Sequence, residues 1–308
     1  MTAVIEASSL SKTYGTQRAL DDFSLTVPSG VIFGILGPNG AGKTTAIEIM
    51  LGLRTSDQGS VTVLGENPEK HYMRIAPRVG AMLQQGGINP GLKPREALAL
   101  YSSFYSQSLD IDDLLERVGL KGVTTIVRRL SGGQAQSLSL ALAIIGKPEL
   151  VFLDEPTVGM DPRARRRTWE IIEELRTSGT TVVLTTHLMD EAETLCDEIA
   201  IVSKGRVIAQ GDTAALISSH QDAVDLEFAS PVVSSDLEHV LGVSCEQRGA
   251  LGVRVTVDPT PDFLVRVAAY AQSHNLLVTR FSSQSKNLED VFIELTDETQ
   301  PSDESTSK

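Results

Sequence analysis

The chain has 308 residues, of which 41% are hydrophobic and 22% charged, and this composition excludes collagen-like, disulfide-scaffold and wholly disordered proteins. The length predicts one large domain and one small domain. The formal net charge is −13, and residues 221–308 contain 15 acidic and 6 basic residues, so the C-terminal part is the acidic part. Because binding to a nucleic-acid backbone needs clustered lysines and arginines, we expect no nucleic-acid partner.

The sequence predicts a protein of the reducing cytosol. Its longest apolar run, residues 138–146, is far shorter than a bilayer-spanning helix requires. The first ten residues contain Glu6 and lack the basic region and apolar stretch of a secretory signal, so we expect the protein to remain where it is made. Two cysteines, Cys196 and Cys245, are too few for a framework of disulfides.

Two kinds of strand pattern occur in the first 220 residues. Alternating apolar and polar residues predict an antiparallel sheet with one face in water, and they occur in residues 4–7, 23–27 and 60–64. Nearly continuous apolar runs predict central parallel strands, and they occur in residues 31–36, 150–153 and 181–184. Helical periodicity occurs in residues 43–51, 94–105, 110–118, 131–145, 163–176 and 189–196. Strands that alternate with helices predict a doubly wound α/β core.

A second, smaller domain is predicted after a linker at residues 218–221. The following segments have the order β-α-β-β-α-β, which is the split βαβ arrangement of ferredoxin-like folds, and a short helix over residues 288–295 comes after them. We therefore predict domains at residues 1–220 and 221–298. The polar residues 299–308 are expected to be a disordered tail.

The strongest motif lies between a predicted buried strand and a predicted helix. It reads Gly37, Pro38, Asn39, Gly40, Ala41, Gly42, Lys43 and Thr44, which matches G-x-x-x-x-G-K-[ST]. Its glycines let the backbone N–H groups point at phosphate oxygens, and the following helix adds its positive end. Lys43 is then expected to bind the β and γ phosphates and Thr44 to bind Mg²⁺. The alternative is a glycine-rich turn with a surface lysine.

Two acids follow the predicted strand at residues 150–153, and a histidine follows the strand at 181–186. Asp154 is expected to hold Mg²⁺ through its water shell, and Glu155 is expected to accept a proton from an attacking water. His187 is expected to hydrogen-bond the γ phosphate and to help position the attacking water. Ligands of open α/β sheets bind at the carboxyl ends of the strands, where all three residues should meet the glycine loop. Alone, acids at strand ends often only cap or turn the chain.

A further motif, Ser131, Gly132, Gly133 and Gln134, precedes a predicted helix. The S-x-x-Q spacing of Ser131 and Gln134 is that of a capping box, which explains these two residues structurally. The two glycines are not explained by capping, because glycine in a first helical turn costs about 1 kcal/mol relative to alanine. They indicate a close approach of the backbone to another molecule.

In this order, the motifs resemble those of the nucleotide-binding subunits of ABC transporters, over about residues 3–215. The resemblance depends on Tyr14 in Lys12-Thr13-Tyr14-Gly15, the lysine loop, Gln84, residues 130–134, residues 150–155, residues 158–161 and His187. It implies a P-loop NTPase core of the RecA-like type with antiparallel β and helical subdomains, plus the small C-terminal α+β domain. It also implies an ATPase that uses ATP and Mg²⁺.

The resemblance assigns a role to each matched residue. Tyr14 stacks on adenine, and Gln84 senses the γ phosphate and Mg²⁺ and faces the membrane partner. Ser131 with Gly133 binds the nucleotide of the opposite subunit, and Asp161 lies at the dimer seam. The expected nucleotide contacts are Tyr14, residues 37–45 including Thr45, residues 131–134 and Asp161; the expected metal site is Thr44, Gln84 and Asp154; the expected catalytic residues are Lys43, Gln84, Glu155 and His187. An ordinary packed tyrosine at position 14, and Gln85 in place of Gln84, remain alternatives.

The sequence departs from the family pattern in two places. Ala135, Gln136 and Ser137 follow the signature where many members carry basic residues. The tail differs from the five-stranded barrel of many importer subunits, and residues 287–296 look like the ending of daunorubicin-resistance exporter subunits. The resemblance therefore implies export of a drug or lipid-like substrate through a separate permease, by a homodimer at the cytoplasmic face of a bacterial membrane. An importer subunit and a soluble ABC ATPase are the alternatives.

Deletion of residues 222–308 tests the predicted domain organisation. We expect a folded ATPase, because all the candidate site residues precede residue 218 and a domain with its own strands and helices should detach as a unit. Turnover measured at several protein concentrations checks this. Aggregation, or loss of nucleotide binding, would mean that the tail completes the catalytic core.

Overall fold

The computed structural model describes residues 2–83, 87–218, 223–257, 259–284 and 287–297. The chain divides into two compact units, residues 1–213 and 214–308. The predicted boundary at residue 220 and part of the predicted linker lie outside the described residues. That the two units are separable domains stays a prediction.

The first unit contains nine strands and seven helices among its described residues. In chain order these are β1 (Ala3–Tyr14), β2 (Gln17–Pro28), β3 (Ile32–Leu36), α1 (Lys43–Met50), β4 (Gln58–Val63), α2 (Tyr72–Ile75), β5 (Val79–Met82), α3 (Pro94–Ser102), α4 (Ile111–Arg117), α5 (Gly132–Ile144), β6 (Leu150–Asp154), α6 (Pro162–Thr177), β7 (Thr181–Thr186), α7 (Met189–Leu195), β8 (Glu198–Ser203) and β9 (Arg206–Asp212). The helix α8 (Thr213–Ser218) spans the division between the units. This mixed α/β architecture confirms the predicted fold class.

The antiparallel sheet has the order β2-β1-β4. In β2 the apolar residues Phe23, Leu25 and Val27 are buried, while the residues between them are exposed, as the alternating pattern predicts. The strands are longer than the predicted segments, because their polar ends also pair in the ladder, down to Tyr14 with Gln17. The buried face packs in one apolar core with α1 and the central sheet.

The central sheet has six strands in the order β5-β6-β7-β3-β8-β9, of which only β9 is antiparallel to its neighbour. Every residue of β3, β6 and β7 is buried, which is why apolar residues predominate in these strands; the exceptions are Asp154 at the end of β6 and the threonines of β7. Alternate residues of these strands, such as Phe33 and Phe152, belong to the core shared with the antiparallel sheet. The helices α5, α6 and α7 contact the central strands as well.

Three strands of the central sheet are absent from the prediction. The strand β5 has four residues including Gly80, and β9 is a half-exposed edge strand. Neither therefore shows a clear alternation of apolar and polar residues or a continuous apolar run. The strand β8 begins three residues after α7 ends, without an intervening glycine or proline to separate them in the sequence. The predicted helices all occur, with boundaries that differ by one to three residues.

The second unit contains β10 (Ala223–Phe228), α9 (Ser234–Leu241), β11 (Cys245–Arg248), β12 (Gly252–Thr256), α10 (Pro261–Ser273), β13 (Val278–Gln284) and α11 (Leu288–Asp297). Its sheet is antiparallel with the order β11-β12-β10-β13, as the split βαβ arrangement requires. Residues of β10 and β12 pack on α9 and α10 around Phe228 and Phe263. The predicted tail at residues 299–308 lies outside the described residues. None of the described helices has the length and apolar character that crossing a membrane requires.

Candidate functional site

The glycine loop connects β3 to α1 at the carboxyl end of the central sheet. Gly40 and Gly42 adopt φ angles of 81° and 105°, which favour glycine. A Cβ atom on Gly42 would also lie 2.4 Å from the carbonyl oxygen of Ala19, so no side chain fits there. The first N–H groups of α1 have no acceptor within the helix, so the loop presents them to an anion.

Lys43 is the first residue of α1, and its side chain is almost completely buried. Its Nζ donates to the carbonyl oxygens of Gly37 over 2.6 Å and Pro38 over 3.2 Å. Burial lowers the pKa of Lys43, and the neighbouring carboxylates of Glu155 and Asp154 oppose this shift. The loop therefore holds a desolvated cation beside two acids, where it can bind phosphate.

Asp154 is the last residue of β6 and is 1% exposed. Thr44 Oγ1 donates to its Oδ2 over 3.1 Å, and Thr185 Oγ1 donates to its Oδ1. Burial raises the pKa of Asp154, and the two hydroxyl hydrogen bonds oppose this shift. Carboxylate and hydroxyl oxygens are the ligands that Mg²⁺ prefers, so Thr44 and Asp154 fit the group predicted for them.

Glu155 and His187 form a pair beside this cluster. Glu155 has a φ angle of 52°, and its backbone N–H donates to Thr185 O over 3.1 Å and Thr185 Oγ1 over 3.0 Å. Glu155 Oε1 lies 3.2 Å from His187 Nδ1. The structure therefore brings together the acid and the histidine that the sequence predicts to act on the same water.

A cleft of about 470 Å³ lies over the glycine loop. Its lining residues are Tyr14, Gln17, Ala19, residues 39–45 and Glu155. Tyr14 is 40% exposed, and Lys12 and Arg54 lie 5.7 and 5.4 Å from its ring centre. An exposed ring at the rim of the cleft fits the predicted stacking on a base better than an ordinary packed tyrosine.

The signature residues lie apart from this cleft. Ser131 is the N-cap of α5, where Gln134 N donates to Ser131 Oγ over 3.2 Å and Ser131 N donates to Gln134 Oε1 over 3.1 Å. A Cβ atom on Gly133 would lie 3.7 Å from Met160 Cα, so the signature lies beside the loop that precedes Asp161. The described residues that line the cleft include neither Ser131 nor Gly133.

Two other predicted residues have different outcomes. Asp161 is the N-cap of α6, and its carboxylate accepts from Arg163 N and Ala164 N over 2.9 Å each, which is a complete structural role in one chain. Gln84, predicted to sense the γ phosphate and Mg²⁺, lies outside the described residues, as does its alternative Gln85. The roles of both Asp161 and Gln84 stay predictions.

The structure adds residues that the sequence analysis missed. Thr185 contacts both acids, and its signal is a polar residue inside a fully buried strand. Gln136 Nε2 donates to the carbonyl oxygen of Glu155 over 3.5 Å. Gln17 and Ala19 line the cleft from the start of β2, and nothing in their local sequence indicates this.

The geometry agrees with what comparison to known proteins shows. The family described as ABC transporter matches residues 20–158. The Nod factor export ATP-binding protein I of Ralstonia nicotianae is 35% identical over 96% of this chain and 94% of its own. The chain belongs to the ATP-binding subunits of ABC transporters. The daunorubicin/doxorubicin resistance ATP-binding protein DrrA of Streptomyces peucetius is also 34% identical, over 96% of this chain and 93% of its own.

Solved structures support the same fold. A structure of an ATP-binding subunit of an ABC transporter covers 70% of this chain and 92% of its own, at 26% identity and a TM-score of 0.65. A dimeric post-hydrolysis state of the ATP-binding cassette MJ0796 bound to ADP and Pi covers 68% of this chain and 98% of its own, at 24% identity and a TM-score of 0.62. This chain is thus an ATP-hydrolysing ATP-binding subunit of an ABC transporter.

Asp154→Asn tests the assignment of the buried carboxylate. An acid whose pKa is raised in the folded state loses stability as the pH rises from its unfolded value through the raised one, so ionised Asp154 destabilises the nucleotide-free protein at neutral pH. We expect the melting temperature without nucleotide to hold or rise, and Mg²⁺-dependent hydrolysis to fall about 10- to 100-fold. Magnesium titration of ATPase activity and thermal denaturation measure both effects.

Asp112→Asn is the control, because Asp112 is an exposed partner of Arg95 far along the sequence from the cleft residues. Its activity should match that of the wild type. An equal magnesium requirement in the Asp154 variant and the wild type would remove Asp154 from the metal site.

Proposed function

We propose that the protein drives export of a drug or lipid-like substrate through a separate membrane permease, at the cytoplasmic face of a bacterial membrane. Identity of 35% over nearly the whole chain with a protein named for Nod factor export supports this, as does the similarity to a drug-resistance subunit. The C-terminal unit also fits an exporter ending, since its described residues form one four-stranded antiparallel sheet with helices and not a five-stranded barrel.

We propose further that two copies of the chain form the working ATPase. The observation that supports this is the separation of the signature from the cleft of its own chain: Ser131 and Gly133 do not line it. The glycines of the signature are not needed for the capping box, which Ser131 and Gln134 complete. If the signature faces the nucleotide of a second copy, these glycines allow the backbone to approach that nucleotide closely.

In this mechanism the chain supplies charge, orientation and a base. Lys43 and the N–H groups of the loop bind the phosphates, while Thr44 and Asp154 would hold Mg²⁺, whose charge stabilises the phosphate oxygens. Glu155 accepts the proton of the attacking water. His187, 3.2 Å from the Glu155 carboxylate, orients that carboxylate and can bind the γ phosphate.

The surface near α2 offers a place for the permease to dock. A groove of about 340 Å³ has a lining that is largely apolar and aromatic, including Leu53, Tyr72, Phe104 and Tyr105. Phe104 is 68% exposed, and Met73, which follows the lining residue Tyr72 in the chain, is 81% exposed. Contiguous apolar surface of this kind is costly to expose and marks interaction sites, so we propose that a cytoplasmic segment of the permease covers it.

Glu155→Gln tests the proposed base. We expect ATP to bind with unchanged or higher affinity, turnover to fall about 10²- to 10⁴-fold, and an ATP-locked dimer to accumulate, because the amide keeps the size of the carboxylate but cannot accept the proton. Size-exclusion chromatography with and without ATP and phosphate release measure these effects. Near-normal turnover would place the base elsewhere, with His187 the next candidate, and lost ATP binding would mean that Glu155 serves the metal.

Ser131→Arg tests the proposed pairing of two copies. Alone, this variant should bind ATP almost normally and fail to hydrolyse it, because the ligand of the signature lies across the dimer. Mixed with Glu155→Gln subunits it should recover activity, because one of the two composite sites then combines an intact Glu155 with an intact Ser131. Phosphate release from each variant and from the mixture decides.

Two further results distinguish a loss of the helix cap from a loss of contact across the dimer. Asp110 caps α4 as Ser131 caps α5, so Asp110→Ala measures the cost of a lost cap alone, about 0.5–2 kcal/mol of stability. Loss of ATP binding by Ser131→Arg alone would instead show that the signature acts within its own chain.

A further inference from the structure

Three charged side chains are buried among the residues that the structure describes: Lys43, Asp154 and Glu191. The first two belong to the nucleotide site. Glu191 is 1% exposed, lies on α7 and does not line the nucleotide cleft. Because burial of a carboxylate is costly unless it is well hydrogen-bonded, this third buried charge requires a physical reason.

One oxygen of Glu191 accepts two hydrogen bonds. Thr157 Oγ1 donates to Glu191 Oε1 over 2.7 Å, and Trp169 Nε1 donates to the same oxygen over 3.0 Å. Both donors are neutral, and no ion pair of Glu191 occurs within the described part of the chain. The buried oxygen therefore depends on these two donors for its hydrogen bonds, and it holds both donors in place in turn.

The three residues come from three segments around the proposed catalytic pair. Thr157 is completely buried two positions after Glu155, in the loop that leads to α6. Trp169 lies on α6 itself. Glu191 lies four positions after His187, in the first turn of α7. A single carboxylate oxygen thus connects the segment that carries the acid to the segment that carries the histidine.

We propose that Glu191 is a positioning residue for ATP hydrolysis: by binding Thr157 and Trp169 it fixes the loop after Glu155 against the helix after His187. The inference deepens the roles proposed above for Glu155 and His187 and rests on them. The two catalytic side chains approach to 3.2 Å, and a displacement of about 1 Å in such a site lowers the rate about 10²-fold.

Glu191→Leu in the full chain tests the proposal, because leucine fills a similar volume and accepts no hydrogen bond. We expect kcat to fall about 10²-fold while the dissociation constant of ATP stays unchanged. Glu191→Gln keeps an acceptor oxygen and should restore most of the lost rate. Glu193→Leu is the matched control, since Glu193 is exposed on the same helix, and its kcat should equal that of the wild type.

Thr157→Val removes one donor with little change in volume and decides the question if Glu191→Leu does not fold. It should lower kcat without weakening ATP binding. The double variant should lose no more than Glu191→Leu alone, because both changes break the same hydrogen bond. Trp169 is the only tryptophan of the chain, so its emission maximum should shift in Glu191→Leu and not in Glu193→Leu.

The outcomes separate this proposal from the one on which it rests. Wild-type kcat in both Glu191→Leu and Thr157→Val would overturn it, and so would equal losses of ATP affinity and kcat, which indicate general destabilisation. Glu155→Gln is measured in parallel. Near-normal turnover in that variant rejects the proposed base itself, whatever the Glu191 variants show.

Discussion

The pair of hydroxyl hydrogen bonds to the Asp154 carboxylate is the interaction on which the site depends. The carboxylate accepts from Thr44 on α1 and from Thr185 on β7, and thus joins the glycine loop to two neighbouring strands of the central sheet. Without a counter-ion of its own, this buried acid is destabilising, and Lys43 only partly offsets the cost. Folding therefore places two acids beside a desolvated cation, and a bound metal and a phosphate chain would supply the opposite charges that these groups lack.

Two of the remaining motif residues have a structural explanation within one chain. Capping accounts for Ser131 and Asp161 within one chain, as each fixes the start of a helix. The signature begins the first of these helices, and the loop after Glu155 leads into the second. The two segments are neighbours, because Gly133 lies beside Met160. The same hydrogen bonds that fix the starts of these helices thus shape the surface that a second copy would meet in the proposed dimer.

Much of the site was predictable because its physical requirements are local. A phosphate loop needs its glycines and lysine in one short segment, and the strands β3, β6 and β7 are buried on both faces, so each contains a nearly continuous run of apolar residues. Thr185 was not predictable, because only the pairing of β6 with β7 brings it to Asp154, 31 residues earlier. The short strand β5 and the edge strand β9 lack a period, and the placement of Gln84 stays a prediction.

The left-handed backbone of Glu155 has a consequence for attempts to stabilise this subunit. A residue with a Cβ atom pays about 1–2 kcal/mol in that conformation, whereas glycine or asparagine would adopt it more easily. Either substitution would relieve this strain but would remove the carboxylate that we propose as the base, so stabilised variants of this protein should be sought elsewhere in the sequence.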